Sequence, residues 1–167
     1  MTSSSPGYTA TQIFLHWAIA ALILFQLVFG ENIENAWRAY RRGLEPSADA
    51  TFNANVHVVV GITVLVLAAW RVALRLRRGA PPLPADDSAL QRMVARVTHG
   101  ALYLAILLVP VSGAVAWFGG VAAAAEAHEL AKPAIIVLLV LHIAGALFQH
   151  FIAKSDVMRR MVRPAGH

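Results

Sequence analysis

The sequence predicts an all-α integral membrane protein, a four-helix bundle with both termini cytoplasmic. Three observations predict it. The 167 residues are 58% hydrophobic and 14% charged, whereas soluble domains average about 45–50% apolar and about 25% charged. The apolar residues gather into four runs, each near the roughly twenty residues that cross a bilayer. No run alternates with period two, which disfavours a membrane β-barrel, and helices are then the remaining way to satisfy the backbone in lipid.

The runs cover residues 13–30, 56–76, 94–118 and 127–152, and the whole chain, 1–167, reads as a single transmembrane domain. The first run follows twelve residues without Lys or Arg. It therefore lacks the basic start of a cleaved signal peptide and is expected to be retained. The polar stretch from Glu31 to Asn55 is expected to hold a short surface helix over residues 33–42, with Trp37 and Tyr40 at the lipid interface. Between the second and third runs, Pro81, Pro82 and Pro84 predict an extended turn across residues 77–91.

The formal charge is +5, but the basic residues cluster beside the run ends, so nucleic acid is not the expected partner. Arg71, Arg75, Arg77, Arg78, Arg92, Arg96, Lys154, Arg159, Arg160 and Arg163 fall on the side of the termini. Arg38, Arg41, Arg42 and Lys132 fall on the other, ten against four. The positive-inside rule then makes the termini side cytoplasmic. There is no cysteine, which excludes iron–sulfur clusters, thiolate-bound zinc and disulfides and leaves nitrogen and oxygen as ligands.

Histidine carries the chemistry. His16, His57, His99, His128, His142 and His150 lie in or at the ends of the apolar runs, and only His167 lies in a polar tail. An imidazole in hydrocarbon is costly and normally marks a function. His128 and His142 are fourteen residues apart on one run. A helix turns 1400° over that span, about 40° from whole turns, and rises about 21 Å. Two side chains thus stand on one face at two depths, as two stacked haems require.

Haem iron takes two axial ligands from opposite sides, and two imidazoles give a centre suited to electron transfer. By depth, His57 matches His128 at the outer level. At the inner level His142 has His16 as its natural partner and His99 as the rival. His99 and His150 otherwise read as groups near a propionate or a quinone. Gly61 and Gly145, each about one turn from a histidine, would give a ring plane close access to backbone. Arg71, fourteen residues beyond His57, would reach a haem propionate through charge-assisted bonds or else snorkel to the interface.

At these residues the chain resembles the bacterial cytochrome b561 family of dihaem, four-helix membrane proteins. The likeness rests on Leu15-His16-Trp17, His57 with Gly61, Trp70-Arg71 with Leu74-Arg75-Leu76, His99-Gly100-Ala101-Leu102-Tyr103, Pro110-Val111-Ser112-Gly113, His128-Glu129 and Leu141-His142. The resemblance covers residues 8–163. It implies two haem b groups, the inner held by His16 and His142 and the outer by His57 and His128. It also implies a bacterial inner-membrane protein that takes electrons from superoxide or another outer donor, reduces ubiquinone, and is compatible with a homodimer. Arg38, Arg41, Arg42 and Lys132 would form a positive entrance that favours an anionic donor, or Arg41 and Arg42 would simply balance Glu31, Glu34 and Glu45. Two other readings predict different behaviour. A haem b anchor subunit of a dehydrogenase or hydrogenase would be inactive alone, and a haem-free proton-coupled transporter would be colourless.

Overall fold

The computed structural model describes residues 7–30 and 33–165. His167 and Glu31 lie outside the described residues. The described chain forms six helices: α1 (Ala10–Phe29), α2 (Ile33–Arg41), α3 (Ala48–Arg78), α4 (Ala89–Gly119), α5 (Ala122–Phe151) and α6 (Val157–Arg160). Four of them, α1, α3, α4 and α5, are long and apolar enough to cross a membrane. The all-α four-span expectation is therefore met. Large apolar side chains such as Phe14, Val28, Val59, Leu104 and Val140 are exposed, an arrangement suited to lipid rather than water.

The spans are longer than their apolar runs, and side-chain caps account for this in α1, α3 and α4. Thr9 opens α1 with a capping box to Gln12. The Ser47 side chain accepts from the Ala50 N–H at the start of α3, eight residues before the expected boundary at 56. Ser88 opens α4 with a capping box to Gln91, which shortens the Pro-rich connection to residues 79–88. Apolar periodicity marks the part of a helix inside lipid, whereas polar caps set its ends outside it.

Helix α5 packs along α4, α4 along α3, and α3 along α1. At mid-depth, Ile19 of α1 and Val64 and Ala68 of α3 form the buried core, joined by Leu22, Ile23, Leu67, Ile106 and Leu107. Helix α5 contributes no fully buried residue. The surface helix α2 is amphipathic and rests on α3 through buried Ala36. Trp37 stacks on Tyr40 at 5.8 Å and meets Trp117 of α4 at 6.5 Å. Trp37 thus ties α2 to the bundle.

Four crossings bring both ends of the chain to one side. There the Ala165 N–H donates to the Tyr8 carbonyl at 3.0 Å. The segment after α5 is pinned to the same end. Trp17 Nε1 donates to the Met161 carbonyl at 2.8 Å, and Arg160 donates to the Pro82 carbonyl at 2.9 Å. Arg160 also pairs with Asp156 at 2.8 Å, and that hydrogen bond holds the Asp156 carboxyl below the usual carboxylate range.

Candidate functional site

The histidines assemble into two groups, one at each level of the bundle. At the level remote from the chain termini, called outer after the expected orientation, His57 of α3 and His128 of α5 face each other with ring centroids 6.0 Å apart. At the inner level, His16 of α1 faces His142 of α5, also at 6.0 Å. Both pairs join helices that are not each other's close-packed neighbours. The fourteen-residue step from His128 to His142 on unbroken α5 therefore sets two levels about 21 Å apart.

Distance indicates what each pair can hold. Metal–imidazole bonds are about 2 Å long, and the ring centre lies roughly 1.1 Å behind the ligating nitrogen, so an intervening metal sets the centroids about 6 Å apart. Both pairs have this spacing. His99 of α4 is exposed, and its centroid lies 5.1 Å from that of His142, with the rings at right angles. That is short for an intervening iron and suits direct ring contact. His99 Nδ1 also donates to the Ala95 carbonyl at 2.6 Å. Among the described residues, no three His, Asp or Glu side chains converge as a protein-only metal site would require. Each donor set is two imidazole nitrogens, which His16 with His142 and His57 with His128 would offer to a haem iron.

The two outer imidazoles differ in their surroundings. His128 Nδ1 lies 2.8 Å from the Val109 carbonyl and 3.3 Å from Ser112 Oγ. His57 Nδ1 is buried without a hydrogen-bond partner. Its ring lies against Gly30, where an added Cβ would sit 3.0 Å from Nδ1. Gln26 of α1 donates to the His57 carbonyl at 2.9 Å and fastens α1 to α3 at this level.

Four glycines differ in what lies beside them. Gly145 has nothing within 4 Å of a Cβ position, and Gly61 faces the Gln26 amide. The glycines that touch imidazole are Gly30, beside His57, and Gly113, where a Cβ would fall 2.8 Å from His128 Cε1. Gln26, Gly30, Ser112 and Gly113 were missed as site residues by the sequence reading. Gln26, a polar side chain inside an apolar run, carried a usable signal.

Arg71 is half-buried at the inner end of α3 and donates through Nη1 to the Gln12 carbonyl, one turn before His16. With Tyr8, Gln12, Arg75 and Tyr103 it lines a shallow concavity, and the Arg75 guanidinium lies 5.1 Å over the Tyr103 ring. His150 is exposed at the inner end of α5, its ring against Phe151 at 4.7 Å. Lys132 is half-buried one turn beyond His128. Arg38 pairs with Glu34 at 3.4 Å, and Arg41 and Arg42 are exposed beside it.

Comparisons with known proteins cover nearly the whole chain. The family model for prokaryotic cytochrome b561 matches residues 7–164. A cytochrome b562 of Cereibacter sphaeroides is 44% identical over 97% of this chain and 99% of its own length. A Yersinia pestis protein named a probable superoxide oxidase is 25% identical over 93% of this chain and 95% of its own. A cytochrome b561 homologue of Escherichia coli is 28% identical over 96% of this chain and 94% of its own. Four apolar spans, histidines paired between them and a match along nearly the whole length lead to one assignment: the chain belongs to the prokaryotic cytochrome b561 family of haem b membrane electron-transfer proteins.

Proposed function

We propose that residues 1–167 form one cytochrome b unit of the bacterial inner membrane. It holds two haem b groups and passes electrons from superoxide outside to ubiquinone inside. The observation that carries the two-haem reading is the equal 6.0 Å spacing of two imidazole pairs at two depths of one bundle. His57 and His128 are the outer ligands, and His16 and His142 the inner. Haem bound by two imidazoles supplies a one-electron carrier at each level. Ten cationic residues against four favour cytoplasmic termini, which makes the His57 level periplasmic.

The remaining roles fall to the protein. Arg38, Arg41, Arg42 and Lys132 are the cations of the outer end, set among six acidic residues, so an anion would be attracted locally to them rather than by the net charge of that end. Arg71, anchored on the Gln12 carbonyl, presents its other N–H donors to a carboxylate at the inner level. His99 and His150 stand at the inner end, where a quinone acquires its protons. Two superoxide ions each give one electron and leave as dioxygen. One ubiquinone takes both electrons and two protons and leaves as ubiquinol. The name of the Yersinia pestis relative supports this choice of donor.

Purified protein in detergent, mixed with superoxide and a short-chain ubiquinone, should form quinol without any added subunit. Reduced-minus-oxidised spectra should report two low-spin b haems per chain. A colourless protein rejects the haem reading. Two haems without superoxide-dependent quinol leave the electron carrier and reject the donor.

A further inference from the structure

The segment Pro110-Val111-Ser112-Gly113 lies inside α4, facing His128 across the α4–α5 contact, and no role has yet been given to it. Pro110 has no N–H, so the Ile106 carbonyl lacks its helical donor at this point. Ser112 turns its hydroxyl back and donates to the Val109 carbonyl at 2.8 Å. The same carbonyl lies 2.8 Å from His128 Nδ1. A carbonyl only accepts, so Nδ1 must carry the proton and Nε2 the free lone pair. Ser112 Oγ, at 3.3 Å, is a second, weaker acceptor for the same N–H. Position 113 completes the arrangement. A Cβ there would lie 2.8 Å from His128 Cε1 and 2.9 Å from Nδ1, distances no real side chain tolerates, so only glycine lets the ring come this close.

We infer that residues 110–113 of α4 form a seat that fixes the ring orientation and tautomer of His128. The seat keeps Nδ1 as donor and presents Nε2 for ligation. An acceptor on the far nitrogen of a ligating imidazole locks the ring and raises its basicity as a ligand. His57 has no such anchor, since its Nδ1 is without a partner. The two outer imidazoles are therefore unequal: one is held by its own surroundings, and the other is free to adjust to what lies between them. Ser112 and Gly113 are positioning residues, acting through His128. The inference rests on the reading that His57 and His128 hold a haem.

Haem content, midpoint potentials and electron paramagnetic resonance of the oxidised protein test it. Gly113→Val should remove the outer haem and keep the inner, leaving one haem per chain, and Gly113→Ala should shift the outer haem's resonance or lower its occupancy. Gly100→Ala, on the same helix with nothing within 4 Å of its Cβ position, should retain both haems unchanged. Ser112→Ala should keep two haems while shifting the outer resonance and midpoint, and Ser112→Thr should restore both. The seat is overturned if Gly113→Val and Ser112→Ala leave the outer signals unchanged. It is equally overturned if Gly113→Ala removes both haems together, because the segment would then serve bundle packing. His128→Ala separates this failure from that of the underlying reading. If the outer haem survives that change, the ligand pair itself is wrong; if it is lost while the seat variants are silent, only the seat is wrong.

Discussion

His142 has two imidazole neighbours, and they stand at different distances. His16 stands at 6.0 Å, enough for iron between the rings, and His99 at 5.1 Å, which is too close. Replacing His16 with Ala should therefore strip the inner haem and spare the outer, whereas His99→Ala should keep both, as a pyridine haemochrome count would read. Retention of two haems in the His16 variant would transfer the ligand role to His99. Sequence alone left this choice open, because spacing along a helix reports depth but not which way neighbouring helices are rotated. The glycines show the same limit: the rings that Gly30 and Gly113 touch belong to other helices, α3 and α5, so spacing along their own helices could not reveal these contacts.

Among the elements, α1 and α3 show how little polar chemistry the interior contains. At the outer level the Gln26 amide reaches the His57 carbonyl across the helix gap. Such interhelical bonds in membranes average about 0.6 kcal/mol. Gln26→Leu should lower stability by roughly that amount, read from thermal unfolding in detergent. It should also loosen the outer level more than the inner, read as a broader resonance of the outer haem. An unchanged melting point and spectrum would demote the bond to an incidental contact. The existence and order of the spans were legible in the four apolar runs. Their ends were not, since Thr9, Ser47 and Ser88 cap from polar stretches where hydrophobic periodicity has already faded.

At the scale of the whole molecule, charge is unevenly divided. The outer end presents Arg41 and Arg42 exposed on and just beyond α2. If superoxide is steered there, Arg41→Glu with Arg42→Glu should cut its rate of oxidation several-fold at low ionic strength and far less at high salt. A stopped-flow series in salt measures this, and equal rates at every ionic strength would remove α2 from the entrance.

The mid-depth core has a consequence of its own. Ile19, Val64 and Ala68, with Leu22, Ile23, Leu67, Ile106 and Leu107 around them, contain no group that could carry a proton. An electron that moves inward past this layer travels uncompensated through about 21 Å of a hydrocarbon core about 30 Å thick. The turnover would then be electrogenic, each event charging the membrane negative inside. A full crossing against 100 mV costs about 2.3 kcal/mol. In oriented vesicles, an imposed inside-negative potential should slow electron entry to the inner level, and an ionophore that collapses it should restore the rate. A rate indifferent to voltage would mean that protons find a way through this layer.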